Sequence, residues 1–106
     1  MAGLVVHHLD AVEETIPDAE IVVNATPLGM KEGDPMPVPA GYVREGRVFC
    51  DAVYRPGTQT PLVRLARQRT VPVVAGDRML LYQGVLAQML WTGREPNIKA
   101  MDSAIS

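Results

Sequence analysis

The 106-residue sequence holds one cysteine, Cys50, so no internal disulfide forms within it; a lone thiol fits a reducing compartment. Its two histidines, His7 and His8, are adjacent, and with a single cysteine they give no zinc-site spacing. Aromatic residues make up only 5% of the chain, so any core is thin and aliphatic. Neither sign of charge dominates. The net of −2 lacks the basic stripe that a nucleic-acid partner calls for. Long apolar runs are missing too: the strongest, Met79 to Trp91, is broken by Tyr82, Gln83 and Gln88 and is too short to span a bilayer. No charged leader with an apolar segment behind it opens the chain. These absences predict a cytoplasmic domain with no metal centre, no membrane contact and no nucleic-acid surface.

What is there alternates between strand and helix signals. Leu4 to Leu9 reads as a strand, and Asp10 with Glu13 reads as a capping box for a brief helix ended by Pro17 and Asp18. Ile21 to Ala25 is a second strand. Residues 31–46, with three prolines and three glycines, read as loop with one helical turn near Tyr42. Arg47 to Tyr54 gives a third strand. Thr60 caps and Pro61 opens the next helix, with Leu62, Leu65 and Ala66 facing inward and Arg64, Arg67 and Arg69 crowding its carboxyl end. Val71 to Val74 makes a fourth strand. Asp77 then caps a helix from Arg78 to Thr92, stopped by Gly93, and residues 94–106 form a loosely ordered tail with a helix near Ile98 to Ala104. The expected fold is α/β, about four parallel strands with flanking helices in a single domain.

Polar and small residues gather where these strands end, which is where open parallel sheets bind ligands. Asn24 and Thr26 follow Ile21-Val22-Val23 directly, Pro27 stops the strand and Gly29 permits a tight turn. Their side chains serve either a ligand or the local backbone. Tyr54 ends the third strand, as a ligand contact or as packing beneath Pro56. Gly76 ends the fourth, as a close backbone approach or as a turn. Met79, Gln83, Leu86 and Leu90 share one helix face, which makes Gln83 a polar group in an apolar stripe that needs a partner. Asp51 reads as a polar strand end. The acidic stretch from Asp10 to Glu20 reads as a solvated helix face.

Three of these segments, taken in order, resemble the carboxyl-terminal half of the shikimate dehydrogenase family, quinate/shikimate dehydrogenases included. They are Asn24-Ala25-Thr26-Pro27-Leu28-Gly29-Met30, Asp51-Ala52-Val53-Tyr54-Arg55-Pro56 running on to Thr60-Pro61-Leu62, and Gly76 leading through Met79 to Gln83. The resemblance runs from residue 4 to about residue 96. It implies part of a Rossmann-like, NAD(P)-binding domain that begins at strand 3 of the order 3-2-1-4-5-6. It further implies that Asn24, Thr26, Ala52, Gly76 and Met79 lie beside the nicotinamide of NADP or NAD. Tyr54 then reaches the carboxylate of a shikimate-type substrate and Gln83 its hydroxyls. The parent family reduces 3-dehydroshikimate to shikimate. The family's catalytic Lys and Asp and its Gly-rich loop have no match here, since the only lysines are Lys31 and Lys99. The chain is therefore expected to carry no catalytic residue of its own and to be inactive alone. A quinate-preferring half is the alternative within the family; a truncated gene product acting as a non-catalytic assembly module is the alternative outside it. An apolar edge at Ile21-Val22-Val23 predicts a homo-oligomer, with Val22 and Val5 near the contact.

Overall fold

β-Branched runs bounded by turn residues become three short parallel strands. In the computed structural model, which describes residues 3–105, β1 (Ile21–Asn24), β2 (Val48–Asp51) and β3 (Val73–Val74) lie in the order β1-β2-β3. Register sets Ile21 beside Val48, Asn24 beside Asp51, and Phe49 beside Val73. Helices flank this sheet. α1 is a single turn at Val12–Thr15, α2 (Pro61–Gln68) connects β2 to β3, and α3 (Gly76–Thr92) and α4 (Ile98–Ile105) follow β3.

The sheet has three strands among the described residues, not four. Residues 4–8 take no regular structure, and the chain enters a 3-10 turn at Leu9–Ala11. A strand is stable only in a ladder, and no described strand pairs with this segment, so its propensity goes unused. The capping box fails for a related reason. Asp10 sits inside the 3-10 turn, the N-cap of α1 is Ala11, and no side chain caps it. Ala11 N–H already donates to the His8 carbonyl at 3.0 Å.

α2 forms as its sequence dictates. Thr60 Oγ1 accepts from Val63 N–H at 3.3 Å, and Pro61 occupies the first turn, where its missing N–H costs nothing. Arg69 leaves the carboxyl end to donate to the carbonyls of Ala40 and Val43, tying the proline-rich loop to the helix. α3 starts with Ala75 as N-cap, not Asp77, whose carboxylate pairs with Arg78 at 3.2 Å instead. Gly93, at φ 69°, adopts the left-handed conformation and donates to the Met89 carbonyl at 2.8 Å, which closes the helix. α4 forms over Ile98–Ile105 and packs on α3.

Strand alternation divides the sheet into unlike faces. Phe49, with Val22 and Val73 beside it, meets Leu62 and Ala66 of α2 together with Ile16, Val38, Val43 and Val71. The opposite face carries Ile21, Val23, Val48 and Val74, all exposed, with half-buried Cys50 among them. Parallel strands have apolar residues on both faces because both are normally covered; here one is. Phe49 is the largest side chain fully enclosed by the covered face. Phe49→Ala is expected to cost about 3–5 kcal/mol, a large fraction of the stability of a chain this size, in a urea titration. Val5→Ala in the same titration should stay within about 0.5 kcal/mol of the parent.

Candidate functional site

Three segments meet beyond the carboxyl ends of β1 and β2, and a buried polar network fixes their geometry. Asp51, which no solvent reaches, accepts from Asn24 Nδ2 and Val53 N–H on Oδ1, both at 3.0 Å, and from the Thr60 hydroxyl on Oδ2 at 2.6 Å. Asn24, 4% exposed, spends its second amide hydrogen on the Leu28 carbonyl at 3.0 Å. Its Oδ1 accepts from Thr26 N–H at 3.1 Å and from the Thr26 hydroxyl at 2.6 Å. Thr26 Oγ1 in turn accepts from Leu28 N–H at 3.2 Å. Ala52 N–H reaches the Asn24 carbonyl at 3.0 Å, so the two strand ends are also joined through backbone. Asn24 thus has its whole hydrogen-bonding capacity committed within the chain. Thr26 is half-buried and Ala52 is exposed, so these two present surface outward.

Gly76 lies where α3 meets the end of β2. A Cβ built there would stand 2.0 Å from the Val53 carbonyl oxygen and 3.0 Å from the Tyr54 nitrogen, so only glycine allows this approach. The reason is backbone packing, which the alternative of a turn glycine does not capture. Tyr54 and Gly76 then line one cleft with Arg55, Thr58 and Asp77, of about 120 Å³. Sites that enclose a small molecule run to about 300–1,000 Å³, so this cleft is a wall and not a complete pocket. The Tyr54 hydroxyl donates to the Ile105 carbonyl at 2.6 Å, at the far end of α4. Asn24 and Thr26 line a separate hollow with Leu9, Val22 and Val38.

The stripe on α3 points the other way from the expectation that Gln83 is buried. Leu81 and Val85 face inward, whereas Met79 and Gln83 are exposed and Leu90 is 86% exposed. Gln83 Nε2 donates back to the Leu80 carbonyl of its own helix at 3.0 Å, so its amide meets neither Tyr54 nor Asn24. Periodicity finds the stripe but not which side of the helix the sheet takes. It also misses the hub formed by Asp51 and Thr60. The signal for that hub is there in outline: an acidic residue closing an apolar strand, nine residues before a Thr-Pro helix start. No local signal marks the ion pair of Arg78 with Asp102, which joins α3 to α4 across the tail.

A parallel α/β sheet whose strand ends gather small and polar residues has the build of a ligand-binding α/β domain. The family described as Shikimate 5'-dehydrogenase C-terminal domain matches residues 78–105. The chain is 53% identical over 98 residues to the NADP(+) shikimate dehydrogenase of Rubrobacter xylanophilus, a match that covers 92% of this chain and 34% of that protein. Among solved structures it superposes on Thermus thermophilus shikimate 5-dehydrogenase in complex with NADP(H) and shikimate with a TM-score of 0.73 at 36% identity, over 97% of this chain and 38% of that one. Quinate dehydrogenase from Corynebacterium glutamicum in complex with NAD gives a TM-score of 0.76 at 33% identity, over 90% and 33%. The chain is similar to the carboxyl-terminal part of shikimate dehydrogenases. It spans about a third of the length of the curated relatives it matches.

Two measurements check this geometry. Gly76→Ala should destabilise the chain by roughly 1–3 kcal/mol through forced backbone movement, whereas Gly41→Ala, with open space around the new methyl, should not. Equal denaturation midpoints for the two variants would mean that α3 does not touch β2 as described. The second concerns pH. The hydrogen bond to Asp102 pushes the Arg78 guanidinium further up, and the same bond holds the Asp102 carboxyl below its ordinary value against a smaller opposing desolvation. A depressed carboxyl contributes stability that is present at neutral pH and lost as pH falls through its folded value, beneath the usual carboxylate range. Carboxyl NMR titration of Asp102 should therefore show a midpoint lower than in the Arg78→Gln variant; coincident midpoints would rule the pair out in solution.

Proposed function

We propose that the chain is the carboxyl-terminal part of an NAD(P)-binding, Rossmann-like domain and forms the nicotinamide-side wall of a shikimate dehydrogenase. What carries this reading is the 53% identity to a relative named shikimate dehydrogenase (NADP(+)) over a stretch that includes all three strand ends. The relatives' names favour NADP, a cofactor that would supply or accept hydride. Exposed Ala52 and Met79 and half-buried Thr26 fit the side of a bound nicotinamide ring, since each offers surface at or just beyond a strand end. Gly76 contributes backbone at the same edge, and Asn24 acts through Thr26, whose position it fixes. Tyr54 binds the substrate carboxylate through its hydroxyl and Gln83 binds substrate hydroxyls through its exposed amide. No residue of this chain is assigned the proton transfer to the substrate oxygen, so the activity belongs to a longer protein in a cytoplasmic setting and the chain alone gives no turnover. Among the described residues no helix is long and apolar enough to cross a membrane. A preference for quinate is a second reading, favoured by the superposition on quinate dehydrogenase.

The test is a chimaera in which residues 4–96 replace the matching segment of the Rubrobacter relative. It should reduce 3-dehydroshikimate with NADPH. Tyr54→Phe and Gln83→Ala within it should each lower kcat/KM for shikimate by about 2- to 10-fold, one hydrogen bond's worth, with KM for NADP+ unchanged. An active chimaera in which both variants keep normal shikimate kinetics would remove these two residues from the substrate site.

A further inference from the structure

Thr26 holds the side-chain hydrogen-bonding capacity left over at the end of β1, and groups that cannot change their own polarity fix its polarity. Asn24 is oriented by backbone on both sides: its Nδ2 donates to the Leu28 carbonyl at 3.0 Å and its Oδ1 accepts from Thr26 N–H at 3.1 Å. The Asp51 carboxylate, an acceptor, takes the second amide hydrogen at 3.0 Å. A flipped amide would set like against like at each of these contacts. With Asn24 Oδ1 so placed, the Thr26 hydroxyl 2.6 Å away has to donate to it. Leu28 N–H, which can only donate, takes one of the hydroxyl's two lone pairs at 3.2 Å. One lone pair remains, and no proton. Thr26 is half-buried whereas Asn24 is 4% exposed, so Thr26 is the side chain of the pair that faces outward.

We infer that Thr26 Oγ1 is a ligand contact that accepts a hydrogen bond and gives none, so this strand end selects a neutral N–H or O–H donor and rejects phosphate and carboxylate oxygens. An anionic oxygen brought to this hydroxyl meets a lone pair, because the proton is already engaged by Asn24 Oδ1. Turning that proton outward would leave a nearly buried acceptor short of a bond and set the hydroxyl against Leu28 N–H. The inference rests on the nicotinamide-side reading above and refines it. A nicotinamide nucleotide presents two kinds of neutral donor, the carboxamide N–H beside the ring and the hydroxyls of the attached ribose. Its pyrophosphate presents acceptors only. Either donor satisfies Thr26; the pyrophosphate does not. Asn24, with no group left to offer a ligand, is the positioning residue that sets which way the Thr26 proton points.

The test uses the chimaera described above with Thr26→Val, which keeps the shape and removes the hydroxyl, and Thr26→Ser, which keeps the hydroxyl. Calorimetry should show NADP+ bound about 2- to 10-fold more weakly by the Thr26→Val chimaera, one neutral hydrogen bond's worth, and normally by Thr26→Ser. Two cofactor analogues name the donor. A Thr26→Val loss that disappears with the acetylpyridine analogue, whose methyl replaces the amide nitrogen, assigns the carboxamide; one that disappears with an analogue deoxygenated on the nicotinamide ribose assigns the hydroxyl. A loss equal for all three cofactors is structural and overturns the proposal, as does unchanged NADP+ affinity in Thr26→Val. Polarity is read separately, by NMR on the isolated chain. The Thr26 hydroxyl proton should resist exchange with water, lie close to Leu28 N–H and stay unmoved by excess inorganic pyrophosphate. A proton that exchanges freely, or that shifts toward added pyrophosphate, overturns the proposal whatever the chimaera does. A folded chimaera that binds no NADP+ while that proton is protected defeats the nicotinamide-side reading, and the ligand assignment with it.

Discussion

Asp51 closes β2 with a carboxyl wholly removed from solvent, and donors from three separate segments converge on it. Asn24 comes from the end of β1, Val53 from the chain leaving β2, and Thr60 from the cap of α2. Each donor is buried or nearly so, and one left without its acceptor costs about 1–3 kcal/mol, a sizeable part of a small domain's net stability. The network therefore fixes the two strand ends and the α2 amino terminus as one body. Thr26 is held through Asn24 and Tyr54 follows Val53, so the surface at the strand ends inherits its shape from a carboxylate that solvent does not reach. Gly76 adds the last constraint by seating α3 directly on the Val53 carbonyl.

That rigid end contrasts with a half-covered sheet. Strands with apolar residues on both sides are built for two layers of helix, and only one side of this sheet is packed. The outward stripe of Met79, Leu86 and Leu90 on α3 shows the same thing at the helix level: apolar periodicity that no element among the described residues covers. Scattered apolar residues on a surface need no explanation, but contiguous ones on a strand do.

Much of the fold is legible in the sequence because the decisive signals are local. The apolar runs at Ile21, Val48 and Val73, the Thr60-Pro61 helix start and the Gly93 stop depend on backbone chemistry within a few residues. The misreadings are those that depend on distant neighbours. Leu4 to Leu9 has strand propensity but no ladder, the Asp10 cap loses its amides to a 3-10 turn, and Asp77 finds Arg78 before it finds a helix end. At the site, the spacing around Asn24, Tyr54 and Gly76 is readable, and their partners are not. Nothing near Tyr54 in sequence predicts that its hydroxyl reaches residue 105, and nothing near Gln83 tells which side of α3 the sheet takes.

The contact between Tyr54 and Ile105 has a stoichiometric consequence. A phenol has one proton to donate, and here it is already given to the last carbonyl of α4 described. Any other acceptor that wants that proton competes with the carboxyl-terminal helix for it. Occupancy of Tyr54 and seating of α4 are then linked, and the linkage is reciprocal: whatever steadies the tail raises the threshold for a newcomer at Tyr54, and a newcomer there loosens the tail by the same free energy. A helix of eight residues, remote in sequence from the tyrosine, thereby becomes a counterweight to it.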